Sequence, residues 1–136
     1  MGFGAQVEDA VRQVPGTAHR LRTDLTATVF LSAPEDYDGG ELIIEDAYGA
    51  HSIKLAAGDM VVYPADSRYR VQPVTRGVRA DSFFWIQSMV RDTSARDVLF
   101  ELDTSIRDLT QTGAHSESLI RLTACYHNLL RRWAQL

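Results

Sequence analysis

The sequence predicts a mainly β fold with C-terminal helices: a β-sandwich or barrel followed by an α-helical hairpin. From Arg22 to Val90, short segments of alternating apolar and polar residues are separated by turns at intervals of about ten residues. Strands this short and this closely spaced favour a sandwich or barrel over βαβ units. After Asp92 the spacing of the apolar residues changes from two to nearly four, which is typical of amphipathic helices.

The first half of the β region predicts one long strand, a loop and a hairpin. Arg22–Leu31 alternates between apolar and polar residues and is therefore predicted to be a strand. Ser32–Gly40 contains a proline, two aspartates and a Gly-Gly pair, so a loop is expected there. Glu41–Asp46 and His51–Leu55 flank a short turn and together predict a β-hairpin.

Three extended segments follow along the chain: Met60–Tyr63, Arg68–Pro73 and Val78–Val90. A turn at Thr75–Gly77 is expected to lead into the last of them. We expect this last strand to be long and central in its sheet. Phe83 and Trp85 would then belong to the core rather than to a platform for substrate.

Two amphipathic helices are predicted after the strands. The first is marked by apolar residues at helical spacing: Val98, Leu99, Leu102, Ile106 and Leu109. The second is marked in the same way by Leu119, Leu122, Tyr126, Leu129 and Trp133. Asp92 or Ser94 is expected to cap the first helix, and Gly113 to separate the two. We expect a β core over residues 1–91 and a helical hairpin over residues 92–136, packed on the core or on a second subunit.

Composition and charge argue against several classes of function. The chain has 136 residues, of which 45% are apolar and 24% charged, enough for one domain with a buried core. A net charge of −4 and the absence of a long apolar run indicate neither a nucleic-acid nor a membrane partner. The single cysteine, Cys125, excludes an internal disulfide, is expected to be buried, and fits a cytoplasmic protein. Met1–Gly4 leads directly into patterned sequence, which indicates truncation at the N terminus.

Several segments together resemble a known family. They are Arg22–Leu25, Tyr37–Leu42, Ala57–Asp59, Tyr63-Pro64, Pro73–Arg79, Trp85–Met89, Leu99–Asp103 and Tyr126–Leu130. In this order and spacing they resemble the bacterial PKHD-type hydroxylases, in the prolyl-4-hydroxylase-like branch of the 2-oxoglutarate/iron(II) dioxygenases. The resemblance covers nearly the whole chain and implies a double-stranded β-helix (jelly-roll, cupin-like) core. Members of the family usually carry a further N-terminal portion and a first core strand, which this sequence lacks.

The resemblance also implies a chemistry and the positions that should carry it. A His-x-Asp pair and a distal His bind iron(II) in this family, and an Arg ten residues beyond the distal His binds the far carboxylate of 2-oxoglutarate. Gly4–Arg12 aligns with the His-x-Asp segment and places Gln6 at the first His and Glu8 at the Asp. Tyr69 stands at the distal His, and Arg79 stands at the carboxylate anchor.

The substituted positions argue against a bound ferrous ion. An amide oxygen and a protonated phenol are poor ligands for iron(II), so Gln6 and Tyr69 are not expected to bind it. Glu8 could still be a ligand, but one good donor of three does not hold a catalytic ion. The remaining histidines offer no replacement, because none is paired with another at metal-ligand spacing: His19, His51, His115 and His127.

Other charged residues near these positions have two interpretations each. Asp81 shares a strand face with Arg79, where it either pairs with the arginine and opposes a dianionic ligand or lies in water at the mouth of the barrel. Arg68 and Arg70 are expected to face away from Tyr69 on a solvated edge strand, the alternative being a new anion or partner contact. The acidic residues between positions 36 and 46 match no calcium loop and are interpreted as a loop and a solvated strand end.

We therefore hypothesise a relative of the hydroxylases that has lost iron-dependent hydroxylation and acts by binding. Its candidate ligands are a protein partner, a second copy of the chain, or a small carboxylate held by Arg79. The alternative is an active iron/2-oxoglutarate-dependent hydroxylase in which Gln6, Glu8 and Tyr69 form an unusual metal site. A third hypothesis is a decayed or engineered fragment with a structural role only.

Overall fold

The structure, a computed structural model, describes residues 4–136 and divides into two compact units. The first unit ends at Gln87, and the second runs from Ser88 to Leu136. Met1 to Phe3, the first part of the predicted N-terminal truncation signal, lie outside the described residues.

The described part of the first unit consists of short antiparallel strands. Their bounds are β1 Val11–Gln13, β2 Arg20–Arg22, β3 Leu25–Phe30, β4 Tyr37–Gly39, β5 Leu42–Asp46, β6 Gly49–Ile53, β7 Met60–Pro64, β8 Arg68–Val71, β9 Val74–Gly77 and β10 Asp81–Ile86. They form two three-stranded sheets, with the orders β10-β3-β7 and β6-β5-β8, and two strand pairs, β1-β2 and β4-β9. Apart from β1-β2 and β5-β6, the paired strands are not consecutive in the chain.

The core of this unit lies between the two three-stranded sheets. Phe30 and Tyr63 come from one sheet, and Leu42 and Ile44 come from the other; together they form one buried cluster. Two antiparallel sheets that share a core and pair strands distant in sequence are consistent with a jelly-roll core, the class to which the double-stranded β-helix belongs. The predicted fold class is confirmed.

Strand β3 is buried on both of its faces. Ala27 is 0% exposed, while Thr26 and Thr28, which point to the opposite face, are 1% and 4% exposed. β3 is the central strand of its sheet, because β7 and β10 pair with its two edges. Its threonines form part of the wall of the cavity described below.

The second unit is a pair of helices, α1 Thr93–Gln111 and α2 Ser116–Trp133. Asp92 caps α1, because its carboxylate accepts a hydrogen bond of 2.9 Å from the Ala95 amide. Gly113 follows Thr112, the C-cap residue of α1, and lies in the left-handed region at φ +72°. The core of the second unit consists of Val90, Ala95 and Leu99. Four side chains of α2 pack against it: Tyr126, Leu129, Leu130 and Trp133. Both predicted helices are confirmed, and neither is long and apolar enough to cross a membrane.

Several local predictions are wrong. Ser32–Gly40 is not all loop, because it contains a 3₁₀ turn and β4, and the predicted turn at 75–77 is the end of β9, which pairs with β4. The long strand Val78–Val90 is only β10, and β10 is an edge strand rather than a central one. Phe83 is consequently 58% exposed instead of buried.

Cys125 is exposed, contrary to the prediction of a buried cysteine. The face of α2 that packs within its unit is formed by Tyr126, Leu129 and Trp133. Cys125 precedes the first of these residues and is rotated about 100° away from it around the helix axis. Apolar neighbours in the sequence therefore do not bury this side chain.

Candidate functional site

A cavity of about 520 Å³ in the first unit contains every position carried over from the family. Its wall includes Gln6, Glu8, Tyr69 and Arg79, together with Asp81. We call Gln6, Glu8 and Tyr69 the triad positions and Arg79 the anchor. The structure thus brings together residues that are separated by more than sixty positions in the sequence.

The first triad position is held by a backbone bridge to the third. The Gln6 amide donates to the Tyr69 carbonyl at 2.8 Å, and the Tyr69 amide donates to the Gln6 carbonyl at 2.9 Å. The Tyr69 hydroxyl also donates to the Gln6 side-chain oxygen at 3.3 Å. The side-chain oxygen that would have to replace an imidazole nitrogen is therefore already accepting a hydrogen bond.

The second triad position is paired with an arginine inside the same segment. Arg12 Nη2 lies 3.2 Å from Glu8 Oε2, and the Glu8 side chain is only 6% exposed. Arg12 also lies 3.8 Å from Asp9 Oδ2, and its guanidinium carbon is 4.0 Å from the centre of the Trp85 ring. The positive charge next to Glu8 is thus supplied by a side chain of the protein.

The third triad position is protonated at neutral pH. Burial raises the pKa of Tyr69 to about 12, and the charge of Glu8 and a hydrogen bond with its carboxylate add to the effect. Burial likewise raises the pKa of Tyr63, whose ring centre is 6.3 Å from that of Tyr69. A phenol that keeps its proton donates a hydrogen bond and does not offer an anionic oxygen to a metal.

The triad positions do not fit an iron(II) ion. A facial triad needs two imidazoles and a carboxylate with free lone pairs. Here one donor is an amide that accepts from Tyr69, one is a carboxylate paired with Arg12, and one is a protonated phenol. Among residues 4–136 no group of three or more His, Cys, Asp or Glu side chains is placed to hold a metal ion.

The histidines lie apart from the cavity wall. His19 lies in the β1–β2 loop, and His51 lies on β6, where its Nε2 is 2.9 Å from Asp46. His115 precedes α2, and His127 lies within it. His51 thus lies in the predicted hairpin, whose strands are β5 and β6.

Two contacts hold the anchor, Arg79, in position. The Arg79 side chain is 9% exposed, and its Nη1 lies 2.6 Å from Asp81 Oδ2. Its Nε donates to the Gly40 carbonyl at 2.8 Å. Its Nη2 is buried and has no hydrogen-bond partner among the described residues. Of the two interpretations of Asp81, the structure shows the one in which the carboxylate pairs with the arginine.

Gly40 is needed where it stands because of the anchor. Its φ is +71°, and a Cβ added there would lie 2.9 Å from Arg79 Cδ and 2.9 Å from Tyr37 Cε2. The close approach of this backbone lets its carbonyl accept from Arg79 Nε. The Gly-Gly pair was predicted as a loop signal only, so this function of Gly40 was missed.

The other charged residues pair with charges of the protein. Arg68 is exposed, as expected, and Arg70 lies 3.8 Å from Glu45 on the face of the sheet opposite Tyr69. Asp38 pairs with Arg76 at 2.8 Å, so its negative charge is balanced by an arginine of the protein. Arg68 and Arg70 alternate with Tyr69 along β8, and Tyr69 packs on the core, so the prediction that both arginines face away from Tyr69 is confirmed.

Sequence reasoning missed Arg12 and Thr26. Arg12 holds Glu8, and the only signal was its position four residues after that carboxylate. Thr26 lines the cavity, and its hydroxyl is buried with no partner among the described residues. The signal that could have found Thr26 is the alternation in β3, which puts Thr26 and Thr28 on the same face and so indicates a polar surface there.

Comparison with known proteins defines the class of protein to which this fold and cavity belong. Residues 7–87 match the sequence model of the 2OG-Fe(II) oxygenase superfamily. The chain belongs to this superfamily. Residues 93–135 match the PKHD-type hydroxylase C-terminal domain, which places the chain in the PKHD-type branch. The resemblance inferred from the sequence is confirmed.

The similar curated proteins are longer than this chain. A PKHD-type hydroxylase of Beijerinckia indica subsp. indica is 57% identical over 136 residues, which are 100% of this chain and 60% of that protein. One of Burkholderia thailandensis is 59% identical over 133 residues, 97% of this chain and 59% of that protein. A crystal structure of a 2OG-Fe(II) oxygenase family oxidoreductase from Burkholderia pseudomallei superposes with a TM-score of 0.44 at 19% identity, covering 61% of this chain and 34% of that one.

Proposed function

We propose that this chain binds a small carboxylate through Arg79 without iron, and that it has lost iron-dependent hydroxylation. The observation that carries the proposal is a buried arginine on a cavity wall whose donor nitrogen Nη2 has no partner in the described part of the chain. Arginine is well suited to carboxylates, because its planar guanidinium presents several N–H groups at fixed angles.

The energetics of the cavity favour a ligand with oxygen atoms. A buried N–H group without an acceptor costs about 1–3 kcal/mol, and more when the group is charged. A ligand oxygen at Arg79 Nη2 would remove this cost. The unpartnered Thr26 hydroxyl on the same wall offers a second contact, because a hydroxyl can donate or accept.

Loss of hydroxylation is supported by the state of the triad positions. To bind iron there, Glu8 would have to leave Arg12, and Tyr69 would have to lose a proton although its pKa is about 12. Both changes cost free energy that the family's imidazoles do not require. The alternative of an active hydroxylase with an unusual metal site is therefore the second candidate.

The test is anaerobic titration calorimetry of the metal-stripped protein. Iron(II) should give no saturable binding, with or without 2-oxoglutarate, while a small carboxylate should bind in the presence of EDTA. Arg79→Lys keeps the charge but loses the planar fork, so we expect about tenfold weaker carboxylate binding. Arg107→Lys, at an exposed arginine of α1, is the matched control and should bind as the unchanged protein does.

Two results would overturn the proposal. Tight one-to-one iron binding that 2-oxoglutarate strengthens would establish a working metal site. Carboxylate binding that is equal in Arg79→Lys and in Arg107→Lys would remove Arg79 from the binding site.

A further inference from the structure

We infer that the cavity selects a small monocarboxylate with an apolar body over a dicarboxylate. The inference rests on the proposed function and names its ligand class. It follows from three features of the cavity: the donors that Arg79 has left, the charges on the wall, and the apolar side chains beside them.

The guanidinium of Arg79 has only part of its donor set available. Asp81 takes a hydrogen bond from Nη1 at 2.6 Å, and the Gly40 carbonyl takes one from Nε at 2.8 Å. The nitrogen without a partner among the described residues is Nη2. A ligand carboxylate can therefore bind at Arg79 Nη2, next to the Asp81 carboxylate that is already bound to Nη1.

The charges on the wall balance without a ligand. Asp81 neutralises Arg79, and Glu8 is neutralised by Arg12. Arg70 also borders the cavity, but its side chain lies on the opposite face of β8 from Tyr69, 3.8 Å from Glu45. One ligand charge can be accepted at Arg79 Nη2. A second would face Asp81 and Glu8, and in a partly desolvated cavity this repulsion is stronger than in water.

The rest of the wall suits an apolar ligand body. Four of the lining residues are hydrophobic: Leu42, Val71, Val74 and Phe83. Phe83 is 58% exposed, so its ring is available for contact. Each methylene that such a ligand buries contributes about 0.8 kcal/mol. None of these four side chains carries a positive charge or a hydrogen-bond donor for a second carboxylate.

A matched pair of ligands tests the inference. 2-Oxopentanoate and 2-oxoglutarate have the same carbon chain, and they differ in whether the last carbon is a methyl group or a carboxylate. Titration calorimetry in EDTA should show 2-oxopentanoate binding about tenfold more tightly than 2-oxoglutarate. Asp81→Asn keeps the shape but removes the charge, so it should strengthen 2-oxoglutarate binding about tenfold and change 2-oxopentanoate binding much less.

The controls separate the inference from the proposed function. Asp81→Ala repeats the test without the amide, and Asp108→Asn, on α1, should change neither affinity. If 2-oxoglutarate binds the unchanged protein as tightly as 2-oxopentanoate, or if both Asp81 variants leave the ratio unaltered, the inference is wrong while carboxylate binding stands. If neither ligand binds, the proposed function is wrong and the inference falls with it.

Discussion

The triad positions and the anchor lie on the wall of the same cavity, but the protein treats them differently. At the triad positions the polar side chains are occupied by other groups of the protein: Gln6 by Tyr69, and Glu8 by Arg12. At the anchor, Arg79 is held by Asp81 and Gly40, and its buried Nη2 has no partner among residues 4–136. The triad side chains are thus engaged by protein groups, whereas Arg79 keeps a donor that no described group accepts.

The difference shows which property of a site depends on residue identity. Binding a ferrous ion needs particular donor atoms with free lone pairs, and a single replaced imidazole removes one of them. Binding a carboxylate needs a positioned guanidinium and a space next to it, which the surrounding fold supplies. A scaffold can therefore keep its anion contact after its metal donors are gone.

Restoring the triad is expected to have the largest effect. The combined variant Gln6→His, Glu8→Asp and Tyr69→His replaces two weak donors by imidazoles and shortens the carboxylate. We expect its affinity for iron(II) to rise on the order of 100-fold or more, as measured by anaerobic titration calorimetry. Gln13→His with Gln111→His adds two histidines outside the cavity and should give no such gain. A folded triple variant that still fails to bind iron would show that the aligned positions are not the triad.

Disturbing the anchor through its backbone should have an intermediate effect. Gly40→Ala places a Cβ 2.9 Å from Arg79 Cδ in a left-handed conformation, so we expect the free energy of unfolding to fall by about 2 kcal/mol. Gly16→Ala is the matched control, because Gly16 has φ +75° and nothing within 4 Å of the added Cβ. It should cost only about 1 kcal/mol in urea unfolding. Equal losses in the two variants would mean that Arg79 does not depend on this close approach.

The smallest expected effect is a pH dependence at Tyr69. Its pKa is raised from 10.0 in the unfolded chain to about 12 in the folded one, so the folded state holds the proton more tightly. The stabilisation from this group is fully present below pH 10 and is lost as the pH rises toward about 12. Tyr69→Phe should flatten the decline of the unfolding free energy in this range, while Tyr48→Phe, at a side chain that is 98% exposed, should not. An unchanged slope in Tyr69→Phe would contradict the buried, protonated phenol.

The helices were predictable from the sequence because their signals are local. The cap at Asp92, the break at Gly113 and the apolar stripes all fall within a few residues of the groups they act on. The strands were harder, because their partners are distant in the chain. β10 was expected to be central, but its place at an edge depends on pairing with β3 alone, which no pattern in Val78–Val90 records.

The site was predictable where a position carried its own signal. The aligned segments predicted the four positions of the candidate site. The structure places all of them on one cavity wall: Gln6, Glu8, Tyr69 and Arg79. The partner of Glu8 could not be predicted, because an arginine four residues later is common and β1 is not a helix. The exposure of Phe83 likewise depends on strand order.

The pairing of β3 has a consequence for the order of folding. β3 is synthesised before both of its neighbours, β7 and β10. Thr26 and Thr28 therefore cannot be enclosed until Asp81–Ile86 has been synthesised, and non-local pairing of this kind is slow. The helical unit needs only contacts within its own residues, Ser88–Leu136. In the growing chain the cavity is thus complete only after β10, the strand that carries Asp81, has been synthesised.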